Sequence, residues 1–267
     1  MSDKPLVSII IPNYNKGKYL PETLASVFKQ GYTNWECIIV DDGSTDEHTL
    51  QVLRGIKHDK VSVVFSANKG VSAARNQAVA LSRGKYIVPL DADDLIADSY
   101  LAETVSVIEG DPSIKVVNTK VQLFGHKTGT MALPPYNLQT LLARNTMVVT
   151  ALFRKTDFVA TGGYNVNMRK GFEDWDFWLS FLADGGRVHT IQKPLFSYRI
   201  VKNSRNHSLT PGDLKALRYS IYENHIALYQ RFLLDPAESF EYDLLRNSLD
   251  YRIGRLLAKP LRFLLRR

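Results

Sequence analysis

Two acidic groups, far apart in the chain, are the residues best suited to chemistry. The first, Asp91-Ala92-Asp93-Asp94, closes the apolar run Tyr86–Leu90. Carboxylates crowded in this way raise one another's pKa unless a cation shares them, so the cluster predicts a bound divalent metal. Hard oxygen donors with no histidine nearby favour Mg2+ or Mn2+ over zinc. The second group is Glu173-Asp174-Trp175-Asp176, within Gly171–Trp178. Acids at a helix start are favoured by the macrodipole alone. Here, however, Trp175, Phe177 and Trp178 surround them with apolar bulk, which raises a carboxylate's pKa toward that of a useful base.

Further polar residues follow other apolar runs: Pro12-Asn13-Tyr14-Asn15, Asp41-Asp42-Gly43-Ser44 and Asn68-Lys69-Gly70. Asp and Asn in such places also cap helices and make turns, so Asp42-Gly43-Ser44 leaves both roles open. Tyr14 can stack on a base while Asp42 accepts its imide hydrogen, or it can simply pack. Arg75 and Asn76 lie on the first turns of a helix, where a phosphate site and a solvated face are the alternatives. The six histidines form no metal pair at helical spacing, and neither a phosphate-cradling glycine loop nor a dinucleotide fingerprint is present.

The elements that must position these groups can be read from periodicity. Leu6–Ile11, Cys37–Val40, Val61–Phe65 and Tyr86–Leu90 lack apolar-polar alternation, as expected of strands buried on both faces. Between them, Leu20, Leu24, Val27 and Phe28, then Leu50, Leu53 and Ile56, then Val71, Ala74, Ala78 and Leu81 keep helical spacing. The alternation predicts a doubly wound, mostly parallel α/β sheet whose ligands lie beyond the strands' carboxyl ends. After about residue 112 the pattern becomes α+β, with extended candidates at Val116–Leu123 and Met147–Phe153 and a helix from Glu173 to Ala183. From Pro211 onward the chain reads as helices.

Taken in order, Val7-Ser8-Ile9-Ile10-Ile11-Pro12-Asn13-Tyr14-Asn15, Ile39 through Asp46, Asn68 through Asn76 and Leu90-Asp91-Ala92-Asp93-Asp94 resemble the family 2 glycosyltransferases. Gly162-Gly163-Tyr164 and Glu173-Asp174-Trp175-Asp176 continue the likeness, which spans roughly residues 5–200. The resemblance implies a GT-A type fold and inverting transfer of a sugar from a nucleotide-sugar, most simply a UDP-sugar, to an acceptor hydroxyl. It implies that Pro12, Tyr14, Asp41 and Asp42 form the nucleoside pocket, with Asn68, Arg75 and Asn76 also on the donor. It further implies that Asp91 and Asp93 hold the diphosphate through Mn2+ or Mg2+, extended by Asp94, and that Asp174 is the base with Glu173 beside it. One departure is Val201, which stands three residues past Tyr198 where the family often carries histidine; Lys202, Arg205 and His207 are the nearby substitutes.

The division expected is 1–205 for the catalytic domain, with 1–111 binding donor and 112–205 acceptor, followed by a helical extension over 206–267. Its end, Tyr251 to Arg267, holds Arg252, Arg255, Lys259, Arg262, Arg266 and Arg267 without an acid, so of the net charge of +7 only +1 belongs to residues 1–250. Basicity confined to a tail with little aromatic interleaving argues against nucleic acid as a partner. The basic stripe beside Ile253, Leu256, Leu257, Leu261, Leu264 and Leu265 fits an interfacial helix on anionic lipid, kinked at Pro260, or a helix packed on the body. A single cysteine, Cys37, excludes an intrachain disulfide and a thiolate zinc site and suggests a reducing, cytoplasmic setting. A polar start and short apolar runs suggest neither a signal peptide nor a membrane span, leaving peripheral attachment at the inner face. With that membrane reading, a saccharide or lipid-linked saccharide acceptor in surface polysaccharide synthesis is expected. A catalytically silent nucleotide-sugar or saccharide binder within a synthase complex is the rival.

Overall fold

The computed structural model describes residues 4–202, 209–232 and 240–264. Four strands come first: β1 (Val7–Asn13), β2 (Trp35–Asp42), β3 (Val61–Ser66) and β4 (Tyr86–Pro89), joined by α1 (Leu20–Phe28), α2 (Glu47–Gly55) and α3 (Val71–Leu81). They pair in parallel in the order β3-β2-β1-β4. The second half adds β5 (Leu95–Ile96), α4 (Tyr100–Gly110), β6 (Ile114–Gly125), β7 (Gly129–Met131), α5 (Leu138–Ala143), β8 (Leu152–Arg154), α6 (Lys155–Thr161), α7 (Glu173–Phe181) and β9 (Arg187–Ile200). The sheet continues β4-β8-β6-β9-β5, with β7 on β6. Here β8 is antiparallel to both neighbours and β5 to β9, while β6 and β9 run parallel. The whole is a mixed α/β sheet, all-parallel only where the first four strands lie.

Burial on both faces follows from the unbroken β-branched runs. In β1, Val7, Ile9 and Ile11 join one apolar cluster with Leu20, Leu24, Leu53, Leu101 and Val105; Ile10 points to the other with Ala74, Ala78, Phe153 and Phe177. Helices therefore cover both faces. The strand β3 departs from the expectation of two-sided burial: it is an edge with β2 as its one neighbour, and Phe65 is half exposed. Of Met147–Phe153, only the end becomes a strand. Elements beyond those expected are β5, α4, β7, α5, α6 and the long β9. The helix α4 buries Tyr100, Leu101, Thr104, Val105 and Ile108 at helical spacing, and in β9 the register slips between the Thr119–Ile191 and Val121–Phe196 pairings. Pro194 lies in that slip, where a residue without a backbone donor is tolerated.

The C-terminal helices are α8 (Pro211–Asn224), α9 (Ile226–Phe232), α10 (Phe240–Asn247) and α11 (Leu249–Leu264). A capping box between Thr210 and Asp213, with Pro211 at the first turn, starts α8. Leu217 and Ile221 of α8 are buried in the second apolar cluster, with Leu228, Tyr229 and Phe232 of α9 packed against it. The boundary near 205, with Arg205 and His207, lies outside the described residues. The helix α11 runs past Pro260. Its Leu256 and Leu257 are 70% and 71% exposed, with Leu249 and Ile253 also exposed. The side chains of Lys259 and Arg262, and Arg266 and Arg267 entirely, lie outside the described residues. No helix among the described residues is long and apolar enough to cross a membrane.

Because Ile221 is fully buried in the same cluster as Ile10, Ile38 and Ile87 of β1, β2 and β4, Ile221→Ala should cost about 2–4 kcal/mol of global stability. Urea unfolding followed by tryptophan fluorescence should remain one transition with a lower midpoint. A second, separate transition would instead show that α8 melts on its own.

Candidate functional site

The carboxyl ends of β1, β2 and β4 and the start of α7 share one rim. At β1 and β2, Pro12 and Asn13 are buried, and Asn13 donates to Asp41 Oδ1 at 2.8 Å. Asp41 also accepts from the Ser44 hydroxyl and backbone. Asn15 takes a left-handed conformation, with φ of 53°. Its side-chain oxygen accepts the backbone N–H groups of Thr45 and Asp46, fastening the two loops together. Asparagine tolerates this region through such local bonds. Tyr14 next to it is 45% exposed, whereas Asp42 at the end of β2 is buried. Asp42 accepts from the Lys69 and Gly70 backbone N–H groups at 2.7 and 2.9 Å. It thereby fixes the entry to α3, while Asn68 in the same loop is exposed.

Arg75, one and a half turns into α3, occupies neither of the places open to it in the sequence. It is 1% exposed and bridges two carboxylates: Nη2 to Asp91 Oδ1 at 2.7 Å and Nη1 to Glu173 Oε1 at 3.3 Å. Its guanidinium also lies over the Tyr164 ring, 5.3 Å from the centroid. Asn76 likewise faces the protein, its amide donating to the Tyr164 carbonyl and accepting from the Tyr164 N–H, each at 2.8 Å. A side-chain amide used on both sides by backbone braces the Gly162-Gly163-Tyr164 segment. Gly163 is required there, since φ is +85° and a Cβ would stand 2.7 Å from the Asn76 oxygen.

The three carboxylates of the Asp91–Asp94 turn are held by two cations and one backbone N–H. Asp93 pairs with Lys16 at 2.5 Å and Asp91 with Arg75. Asp94 stands apart from the other two: it is buried, and its Oδ1 accepts the Arg199 N–H at 2.8 Å. Burial, then Asp91 and Asp93, push its carboxyl well above the usual range. Arg199 also donates to the Asp93 carbonyl and to Glu22, and lies over Tyr19 and Phe124, clamping the turn from β9. Among the described residues, no three carboxylate, imidazole or thiolate groups converge on a common point. Asp91 and Asp93 nevertheless fit Mg2+ or Mn2+. They are hard oxygen donors at the rim, and these ions are held by one or two carboxylates together with phosphate oxygens and water rather than by a protein cage.

The helix α7 begins under strain, with Phe172 at φ of 62° immediately before Glu173. A bulky residue in that region is uncommon and concentrates at functional sites. Glu173 is buried against Arg75, and Trp175 donates its indole N–H to the Leu141 carbonyl at 2.6 Å. The half-buried Asp174 accepts from Asn145 Nδ2 at 2.9 Å on Oδ2 and from the Trp175 N–H at 2.9 Å on Oδ1. Burial first, then the Glu173 charge, push its carboxyl up to about 6, with Arg75 opposing. Asp176 faces the opposite way into the fold, accepting from Asn224 and meeting His225 at 3.2 Å. The rim thus gathers Asp91, Asp93, Asp94, Glu173 and Asp174, with Asp91 and Glu173 joined through one guanidinium. Neither Asn145 nor Lys16 carries a signal in the sequence, because each sits in an irregular connection.

Residues 8–176 match the family model described as Glycosyl transferase family 2. EpsE of Bacillus subtilis is 29% identical, over 91% of this chain and 88% of its own length. Chondroitin synthase of Escherichia coli is 30% identical over 93% of this chain, which spans only 36% of that protein. The uncharacterized protein y4gI of Sinorhizobium fredii is 33% identical over 76% of this chain, which spans 23% of it. Among solved structures, S. aureus TarS residues 1–349 in complex with UDP-GlcNAc superposes with a TM-score of 0.70, at 21% identity over 92% of this chain and 77% of that one. The mannosyltransferase PcManGT of Pyrobaculum calidifontis, in complex with GDP-Man and Mn2+, gives 0.60 at 18% identity over 95% and 84%. At those identities the likeness shows the fold, an α/β sheet of GT-A type.

Removing one partner of a buried ion pair strands the other charges. Arg75→Met should therefore destabilise the protein by about 3–5 kcal/mol in denaturant titration. A loss below about 1 kcal/mol, the range of exposed pairs, would mean that Asp91 and Glu173 do not depend on this guanidinium.

Proposed function

Since the chain belongs to glycosyl transferase family 2, we propose that it transfers a sugar with inversion from a nucleotide-sugar, most simply a UDP-sugar, to a saccharide hydroxyl. The observation that carries this reading is the Arg75 bridge, which ties the Asp91 turn to the acids opening α7. Donor diphosphate and acceptor hydroxyl can then meet at one rim. Tyr14 offers its exposed ring to the base, with Asp42 and Asp41 at the floor of the nucleoside pocket and Pro12 shaping it. A divalent ion held by Asp91 and Asp93 neutralises the diphosphate charge when bound.

Asp174 takes the acceptor hydroxyl proton as that oxygen forms its bond to the anomeric carbon. The bond from that carbon to the diphosphate oxygen breaks on the opposite face, and its electron pair leaves with the nucleoside diphosphate. One in-line displacement inverts the centre without a covalent enzyme intermediate. A base held near 6 is ionised at neutral pH yet close enough to it to accept a proton. Glu173, paired with Arg75, keeps a second negative charge beside it.

Residues 1–205 form the catalytic domain in this reading, with 1–111 serving the donor and 112–205 the acceptor. TarS holding UDP-GlcNAc supports a nucleotide-sugar donor, and PcManGT with Mn2+ supports the ion. Chondroitin synthase among the relatives supports a polysaccharide product. The exposed Leu249, Ile253, Leu256 and Leu257, with Arg252 and Arg255 exposed on the same helix, support peripheral attachment to an anionic leaflet carrying a lipid-linked acceptor. The lone, buried Cys37 supports a reducing, cytoplasmic setting.

Three outcomes test the reading. In thermal melting against UDP, GDP, CDP, ADP and dTDP with and without Mn2+, one diphosphate should raise Tm by several degrees, about 2.7 kcal/mol at a hundredfold excess over Kd; no shift with any of them overturns it. Asp174→Asn should lose about 10^2- to 10^4-fold in turnover while still binding that nucleotide, and wild-type kcat/KM should fall on the acid side with a midpoint of about 6. Vesicles containing phosphatidylserine should float the protein in a salt-sensitive way, and Leu256→Asp with Leu257→Asp should abolish flotation.

A further inference from the structure

We propose that Asn145 is a positioning residue for Asp174, orienting the carboxylate and holding it ionised through a neutral donor; this rests on Asp174 being the base. The direction of the amide is fixed by its own bonds. Its Oδ1 accepts the Met147 N–H at 3.2 Å, which leaves Nδ2 as the group facing Asp174 Oδ2 at 2.9 Å. The connection carrying it cannot swing freely. It leaves α5, where Leu141 is fully buried and its carbonyl accepts the Trp175 indole N–H, and it continues into Thr146 and Met147, both 2% exposed. The helix α5 and the connection after it therefore grip α7 at two successive residues, Trp175 and Asp174. With the Trp175 N–H on Oδ1, the carboxylate plane is held from both ends.

The need for such a donor follows from what else faces Asp174. Glu173 on its own helix and Asp91 after β4 repel the negative charge, and burial penalises it. Arg75 on α3 is the cation that opposes them. Tyr164 and Tyr198 also lie within electrostatic reach, and both phenols are pushed up, Tyr198 to about 12, so they stay neutral at working pH. A second cation on Oδ2 would favour the ionised form but weaken the carboxylate as a proton acceptor. An amide orients it and stabilises the charge at smaller cost to basicity.

The test uses Asn145→Ala, Asn145→Ser and Asn145→Asp in the full chain. Product release is followed from pH 4.5 to 9 with the sugar nucleotide, among those built on the diphosphate selected by melting, that is turned over fastest, water serving as acceptor, and each variant's Tm and nucleotide Kd are measured alongside. Loss of the donor in Asn145→Ala should move the acid limb of kcat/KM up by about one pH unit and lower kcat about tenfold or more. Nucleotide Kd should stay within about twofold, since Asn145 touches Asp174 alone of the site. Asn145→Asp keeps the shape but adds a charge, and should move the limb further. Asn145→Ser, with a shorter donor, should lie between alanine and wild type, and it keeps the comparison available if alanine fails to fold. An unchanged limb and kcat, with only Tm lowered, would overturn the proposal. Retained turnover in Asp174→Asn would instead overturn the reading of Asp174 as base.

Discussion

The site is organised by one buried guanidinium. A charge with 1% exposure is tolerated only when paired and hydrogen-bonded, and Arg75 meets that condition through Asp91 from the end of β4 and Glu173 from the start of α7. Its own position is set upstream. Asp42, at the end of β2, accepts the Gly70 N–H that opens α3, and Asn76, the residue after Arg75, is bonded on both sides to Tyr164. Four elements far apart in sequence are thus held to one another by short polar contacts. The planar fork of arginine suits this bridging, whereas a lysine point charge would not fix two carboxylates in one geometry.

The same region concentrates backbone strain. Asn15 and Phe172 are the non-glycine residues with positive φ among the described residues, one just after β1 and the other just before α7. Asn15 offsets its cost with bonds to Thr45 and Asp46. Phe172 has no such amide; it packs on Trp175 with ring centroids 5.4 Å apart, and its carbonyl accepts the Asp176 N–H. The turn it makes delivers Glu173 to Arg75 and Asp174 to Asn145, which a relaxed helix start would not guarantee.

Beyond the site, α7 works as a spine between two surfaces. Glu173 and Asp174 serve the rim, while Asp176 binds Asn224 and His225 where α8 gives way to α9. The C-terminal helices divide in turn. Leu217 and Ile221 complete the core, whereas Leu249, Ile253, Leu256 and Leu257 of α11 are exposed, with Arg252 and Arg255 exposed on the same helix.

The order of the first four strands and three helices, the clusters after β1, β2 and β4, and the family were all legible in the sequence. Unbroken runs such as Ile9-Ile10-Ile11 favour two-sided burial, which β1, β2 and β4 show and the edge strand β3 does not, and acids at strand ends are local in the chain. Tertiary structure decided what is not local. Nothing near Arg75 in sequence indicates that Glu173, 98 residues away, will pair with it rather than a phosphate or water. Asn76 likewise reads as a ligand residue until the Tyr164 backbone arrives to use its amide. Asp94 is indistinguishable from Asp91 and Asp93 by type, and only the return of β9 assigns it to the Arg199 N–H. β9 itself was hidden because Gln192-Lys193-Pro194 breaks its alternation, and that alternation is repaired only by a slip in register against β6. A side chain's type limits the bonds it can make, but which bond it makes depends on partners that long-range packing brings within 3 Å.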